Sequence, residues 1–233
     1  MSERVLIVSS AAPDWKPLTD ITWATMAKYA ARHGYDFHTD VSNVVALARS
    51  PMWGEGVTGY MPIRGFIKLD LLLHFLDEQS CRREYDRVCW LDADMLITNY
   101  KKPLPPNERE IILPYDANGH NATVIMVRNT ARVRSFLWAC NNAGRTMFLK
   151  HDWAEMEAMR YFMQTPPYWG PELVDYVSVK TLCAMPPGVY PIPDVTRKQY
   201  EWADGDFAVH FSALPLEIRV QMAREWTDRL GLL

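Results

Sequence analysis

Very little in this chain ties it to a membrane or to nucleic acid. Its 25 Lys and Arg stand against 28 Asp and Glu, a formal charge of −3. No basic excess is therefore available to neutralise phosphates, although a local patch is compatible with that total. No apolar run approaches the roughly 20 residues that span a bilayer. The first such run, Val5-Leu6-Ile7-Val8, is too short even for the core of a signal peptide. It reads as a buried first strand. The four cysteines, Cys81, Cys89, Cys140 and Cys183, form no CxxC pair and no zinc spacing. They are expected to be reduced thiols in a cytosolic protein, with Cys89 a small hydrophobe inside a strand. Repeats, low-complexity segments and linkers are lacking, so residues 1–233 are expected to form a single domain.

What the chain does have is 48% hydrophobic residues, enough for a sizeable core. It also has nine Trp and eleven Tyr. These suit a large core, and they also suit a sugar site, where aromatic rings stack on apolar faces and hydrogen-bond at the rim.

Strand and helix signals alternate. Val5 to Ser9 reads as a strand. Thr19 or Asp20 can cap a helix burying Trp23, Met26, Ala27 and Ala30 and stopped by Gly34. Tyr35 to Thr39 reads as a second strand. Pro51, Gly54, Gly56, Gly59 and Pro62 mark residues 50–65 as a long loop. A helix from about Gly65 to Glu78 and a strand from Asp86 to Leu91 follow. Residues 101–107 are loop, 111–114 and 122–127 strands, 130–142 and 153–164 helices. Residues 165–171 and 185–193 are proline-rich connections. A last strand at 207–211 precedes a helix with Leu214, Ile218, Met222, Trp226 and Leu230 on one stripe. This order implies an α/β fold, a central mixed sheet flanked by helices. Ligands in such sheets bind beyond the carboxyl ends of the strands.

The chemistry concentrates at Trp90-Leu91-Asp92-Ala93-Asp94, where an apolar strand runs into two carboxylates. Strand alternation points residues 92 and 94 to one side. Two adjacent like charges need a counter-charge, and a divalent cation supplies one. Carboxylate oxygens favour magnesium, manganese or calcium over zinc. Such a cation can clamp a diphosphate and neutralise charge on it as a leaving group. The alternative is a solvated acidic turn. The apolar residues Met95, Leu96 and Ile97 that follow at once weigh against it.

The stretch from Trp90 to Asn99 resembles the DxD segment of GT-A (Rossmann-like) glycosyltransferases. It looks closest to the galactosyl- and mannosyltransferases of the yeast Golgi type and more distantly to glycogenin-like and lipopolysaccharide galactosyltransferases. Lys68 matches a lysine those families place near the donor phosphates. Asp116-Ala117-Asn118-Gly119-His120-Asn121-Ala122 and the strand through Arg128-Asn129 resemble their next segment, and Val209-His210-Phe211 resembles the strand bearing a histidine metal ligand. The resemblance covers roughly residues 60 to 212. There are departures. Thr123 stands where the family has glycine, Glu155-Met156 replaces an acidic-Gln pair, and Ser212-Ala213-Leu214-Pro215-Leu216 lacks the lysine of the glycogenin-like relatives.

The resemblance implies a metal-dependent hexosyltransferase. Its donor would be a nucleotide sugar, UDP-sugar by family habit, its cation manganese or magnesium, and its outcome retention of anomeric configuration. It implies Asp92, Asp94 and His210 as metal ligands, with Asp94 and Glu155 in the catalytic role. Lys68 and Asp92 would hold the donor phosphates, with Arg64 and Arg219 as further cations. Ser9 and Ser10 would lie by the base and ribose, and Asp116, Asn118 and Asn121 by the sugar hydroxyls. A nucleotide-sugar half at about 1–100 and an acceptor half at about 101–233 follow. The acceptor can be a glycan, a lipid-linked sugar, a protein or modified DNA. The oligomeric state is left open. The Golgi relatives carry an N-terminal anchor that this chain lacks, so a bacterial or viral cytoplasmic protein is expected.

Each role has a plainer alternative. His210 can be a satisfied histidine at a strand end, Lys68 a snorkelling helix lysine, and Asp116 to Asn121 a hairpin turn. Arg128 can pair a core carboxylate. Trp53, Tyr60, Tyr168 and Trp169 can stack on an acceptor or anchor loops. Inversion would need a base such as Glu155 or Asp152. A nucleotidyltransferase or phosphohydrolase also uses carboxylate pairs, but such enzymes usually carry a glycine-rich first loop, here Ser-Ser-Ala-Ala-Pro. A binding module without catalysis is the non-enzyme alternative.

Overall fold

A computed structural model describes residues 3–41, 60–77, 84–106, 108–116, 119–148, 151, 153–164, 170–190 and 198–233. In chain order the elements are β1 (Val5–Ser10), α1 (Lys16–His33), β2 (Asp36–Asp40), α2 (Tyr60–Leu76), β3 (Arg87–Leu91) and β4 (Met95–Ile97). Then come β5 (Ile111–Asp116), β6 (Gly119–His120), β7 (Val124–Arg128), α3 (Ala131–Phe148) and α4 (Ala154–Gln164). The last are β8 (Val174–Ser178), α5 (Val179–Leu182), β9 (Ala208–His210) and α6 (Leu216–Leu230).

Seven strands form one mixed sheet in the order β2-β1-β3-β7-β5-β6, with β8 also paired to β5. The pairs β1–β2, β1–β3 and β5–β8 are parallel, while β3–β7, β7–β5 and β5–β6 are antiparallel. Strands buried on both faces read as continuous apolar runs, and β1, β3 and β7 do so. Their alternate residues feed two cores. Leu6, Val8, Val88, Trp90, Ile125 and Val127 pack with α2, α3 and α4 on one face. Val5, Ile7, Cys89, Leu91, Val124 and Met126 pack with α1 and α5 on the other. The sandwich is the α/β architecture, a central mixed sheet flanked by helices, expected from the sequence.

A third, smaller core stands beside the sheet. There β4 and β9 make a separate two-stranded ladder. Leu18, Leu96, Val209, Phe211, Ala223, Trp226 and Leu232 close it under α6.

Several boundaries differ from the sequence reading. Neither Thr19 nor Asp20 caps α1, which starts at Lys16 after a 3₁₀ turn at Pro13–Trp15. Pro17 sits in the first turn, where its missing N–H costs nothing. Asp20 instead pairs with Lys16 at 2.6 Å. Ala27 is exposed, and Thr22, Thr25 and Tyr29 take the buried stripe. The chain is already helical at Tyr60, inside the expected loop, while residues 42–59 lie outside the described part. Helix α3 runs on to Phe148. Its Gly144 is an approach point, since a Cβ there would lie 2.5 Å from the Ala158 side chain of α4. On α6, Ile218 faces solvent and Leu214 precedes the helix. Among the described cysteines Cys89, Cys140 and Cys183 are free and buried. Burial pushes the Cys89 thiol up to about 12, so it stays protonated, as a structural cysteine does. Cys81 lies outside the described residues.

Candidate metal and donor site

The carboxylate pair lies at the hand-over between the two sheets. Strand β3 ends at Leu91 in the large sheet, and β4 begins at Met95 in the small ladder. Between them Asp92-Ala93-Asp94 forms a turn rather than the extended strand that alternation suggested. The Asp92 N–H donates to Thr123 O at 2.9 Å, and the Met95 N–H donates back to Asp92 O at 3.1 Å. Thr22 of α1 holds the middle of the turn, donating from Oγ1 to Ala93 O at 2.7 Å. The turn explains why two acidic residues sit between apolar runs: each run belongs to a different sheet.

His210 arrives from β9, where it sits opposite Met95 in the ladder. One ligand atom each from Asp92, Asp94 and His210 lies within 4.8 Å of the others. Two carboxylates and an imidazole are a donor set that suits a hard to borderline divalent cation. Asp94 divides its oxygens. His210 Nε2 lies 3.2 Å from Oδ1, and Arg219 of α6 pairs with Oδ2. Burial would push the Asp94 carboxyl up, but His210 and Arg219 beside it prevail and hold it at about 2. It is an anion over the whole physiological range. The other ring nitrogen of His210, Nδ1, lies 3.3 Å from Thr123 Oγ1. A hydroxyl there fixes which nitrogen faces the carboxylates.

Asp92 is held from the opposite side. Trp90 Nε1 donates to its Oδ1 at 2.6 Å, and Lys68 Nζ lies 2.9 Å from the same oxygen. Lys68 also donates to Ala122 O at 3.1 Å and lies 3.5 Å from Glu155 Oε1. Its side chain is only 13% exposed. Burial alone would strip its proton; the carboxylates of Asp92 and Glu155 reverse that and leave its pKa raised. Lys68 is thus no snorkelling surface lysine. Glu155, in the first turn of α4, packs its carboxylate where a Cβ on Gly65 would be, 1.8 Å from Oε2. Gly65 of α2 is what lets Glu155 reach Lys68.

Other expected residues fall into place less directly. Asn121 Nδ2 donates to Asp116 Oδ2 at 3.1 Å, and Asn121 Oδ1 accepts from the Thr123 N–H at 2.8 Å. The pair braces the β5–β6 hairpin and passes its position on to Thr123. Asn118 lies outside the described residues. Ser9 Oγ accepts from Trp23 Nε1 at 2.9 Å, while Ser10 Oγ is buried with no hydrogen-bond partner among the described residues. The β1–β3 register pairs Val8 with Trp90, so Ser9 and Ser10 end their strand level with Leu91 and Asp92. Arg64 lies in α2, but its side chain, like Tyr60, Trp53, Asp152, Tyr168 and Trp169, is outside the described part. Arg128 is exposed at the far end of β7, away from the pair.

Sequence reasoning missed three contributors. Thr123, read as a departure, is the partner of His210. Trp90 reaches two residues on to its own strand's end. Trp15 carries the Arg219 guanidinium over its ring at 4.8 Å, and Arg219 Nε donates to Leu214 O at 2.6 Å. Only the Trp90 spacing was available as a signal.

The sandwich with its two carboxylates and imidazole at the strand ends defines an α/β architecture of GT-A type with a candidate divalent-metal site. Solved structures share the fold. A glycosyltransferase involved in glycosylating the major capsid of PBCV-1 superposes with a TM-score of 0.64 at 15% identity, over 95% of this chain and 99% of its own. The galactosyltransferase LgtC, bound to donor and acceptor sugar analogues, gives 0.60 at 14%, over 98% of this chain and 96% of its own. The glycosyltransferase GlyE of Streptococcus pneumoniae TIGR4 gives 0.54 at 9%, over 99% of this chain and 63% of its own. At such identities the likeness is one of fold. No protein-family model and no curated protein sequence matches the chain. Among the described residues, no helix is long and apolar enough to cross a membrane.

Proposed function

We propose that the protein is a metal-dependent glycosyltransferase that moves a hexose from a nucleotide-diphosphate sugar, a UDP-sugar by resemblance, to an acceptor hydroxyl. The observation that carries this reading is the convergence of Asp92, Asp94 and His210 beyond the end of β3 in a GT-A-type sheet. Bound there, manganese or magnesium supplies Lewis-acid neutralisation of the departing diphosphate. The chain's own groups do the rest. Lys68 offers a fixed cation to a phosphate oxygen, and Glu155 holds Lys68 and borders the donor sugar. Asp116 and Asn121 face its hydroxyls, and Ser9 and Ser10 flank the base and ribose. Retention is the expected outcome, with the departing phosphate oxygen taking the acceptor proton. The resemblance to the yeast Golgi-type and glycogenin-like transferases, the two halves at about 1–100 and 101–233, and a cytoplasmic location belong to the same proposal.

A second reading is favoured by one observation. Met156 stands where the resembling enzymes have Gln, and the neighbouring Glu155 carboxylate is already engaged by Lys68. A nucleotide-sugar binder without turnover would show both.

The test is thermal unfolding with nucleoside diphosphates and their sugars, with and without manganese, followed by turnover. A ligand that binds only the folded protein raises its stability by RT ln(1 + [L]/Kd). A metal-dependent rise with one diphosphate is expected. Asp94→Asn should remove that rise and cut transfer at least about 100-fold, the scale of losing an electrostatic partner of the transition state. Full transfer by Asp94→Asn would sink the assignment. A metal-dependent shift without transfer would select the binder.

A further inference from the structure

The two aspartates of the candidate metal site each already have a buried cation. Lys68 sits on Asp92 with a side chain 13% exposed, and Arg219 sits on Asp94, also 13% exposed. Glu155 adds a third carboxylate through Lys68. Three carboxylates thus meet two fixed cations. A divalent ion arriving alone would add two positive charges beside two cations already in place, in surroundings where unbalanced charge is costly. A diphosphate arriving with the ion brings negative charge that offsets both the ion and the fixed cations.

Arg219 is built for that role. Three contacts hold it: the Asp94 carboxylate at Nη1, Leu214 O at Nε, and the face of Trp15. It engages Oδ2 of Asp94 and leaves Oδ1 to the His210 side, so it need not leave when a metal binds. Ala213, just before this stretch, holds φ +54, a left-handed backbone that alanine rarely adopts. That conformation turns the chain from β9 into α6 and brings Arg219 back over the site. We infer that Arg219 is a positioning residue that couples the two ligands: its fixed charge keeps the metal site weak by itself and makes it strong only together with an anionic diphosphate.

The inference rests on the proposed metal and diphosphate site, and one experiment separates the two. Manganese affinity is measured on the full chain by the electron paramagnetic resonance of free Mn²⁺, with and without saturating UDP, and with GDP as a second probe. Coupling between sites is reciprocal and ordinarily about 5–150-fold. Wild type should bind Mn²⁺ at least about tenfold more tightly with the diphosphate present. Arg219→Gln should bind Mn²⁺ alone several-fold more tightly than wild type and lose most of the coupling. Arg219→Lys, which keeps the charge, should keep it. Wild-type coupling below about twofold overturns the inference even should Arg219→Gln fail to fold. Strong coupling that Arg219→Gln retains, or unchanged or weaker Mn²⁺ binding by that variant, makes Arg219 a structural pair and overturns the inference while leaving the site. Wild type that binds neither Mn²⁺ nor a diphosphate removes the site itself.

Discussion

Asp92 and Asp94 are two residues apart, yet different parts of the molecule hold them. Asp92 answers to Lys68, Trp90, Thr123 and, through Lys68, Glu155, all rooted in the large sheet and the helices packed on it. Asp94 answers to His210 and Arg219, which come from β9 and α6 beside the small third core. Among the described residues the first side rests on the twenty-eight-residue core, while the second divides its packing: Met95, Ile97 and Ala208 enter the second core of the large sheet, and Leu96, Val209 and Phe211 enter the seven-residue small core. Burial of a large apolar side chain contributes about 1.5–3 kcal/mol. The part of the Asp94 side that faces α6 therefore has less beneath it, and a single loss there weighs more.

That contrast can be broken at three points. The largest effect is expected from Phe211→Ala, since Phe211 is fully buried in the small core next to His210. It should cost about 3–5 kcal/mol in urea unfolding, the range for a lost core aromatic. Manganese binding should fail before the secondary structure does; a variant that unfolds in one step with binding intact would show the small core is no separate weak point. Gly65→Ala comes next and strikes the Asp92 side. Its Cβ would overlap the Glu155 carboxylate. The cost should be about 1–3 kcal/mol, as for overpacking. Diphosphate binding should weaken while Mn²⁺ binding alone changes less, because Lys68 loses a partner and Asp94 does not. Equal loss of both would show that the two sides act as one. Thr123→Val is the mildest. It removes the hydroxyl beside His210 Nδ1 and keeps the backbone carbonyl that accepts from Asp92. About 1 kcal/mol of stability and a severalfold loss of Mn²⁺ affinity are expected, the scale of one neutral hydrogen bond. Unchanged affinity would leave the imidazole oriented by the β4–β9 ladder alone.

The sequence disclosed the two sides unequally as well. Apolar runs at β1, β3 and β7 and the acidic pair after β3 are local signals, and they located the sheet and the site's centre. The short elements had no such signal. Strand β4 has three residues and β6 two, lengths at which periodicity carries no information, and β8 alternates only weakly in burial. Pro62 and Gly59 read as loop punctuation, yet α2 begins at Tyr60 because proline is tolerated in a first turn. The helix expected over 130–142 continues through Gly144, whose role is close packing against Ala158. Of the candidate site, Asp92 and Asp94 stood out by their types and setting and His210 by the family resemblance, and the structure brings the three together. The bond of Thr123 to His210 was not, because those residues are 87 positions apart.

The same separation has a temporal meaning. The Asp94–Arg219 pair spans 125 residues. Contacts so distant in sequence form late, after the loop-closure entropy of everything between has been met. A nascent chain can bring the large sheet's first strands together while the segment bearing His210 and Arg219 is still inside the ribosome, since domains assemble as synthesis proceeds. During that interval it holds Asp92 and Asp94 but neither His210 nor Arg219. The candidate cation site is thus completed only after the strands that carry the acidic pair, and a chain cut before His210 would carry that pair without the groups that govern it.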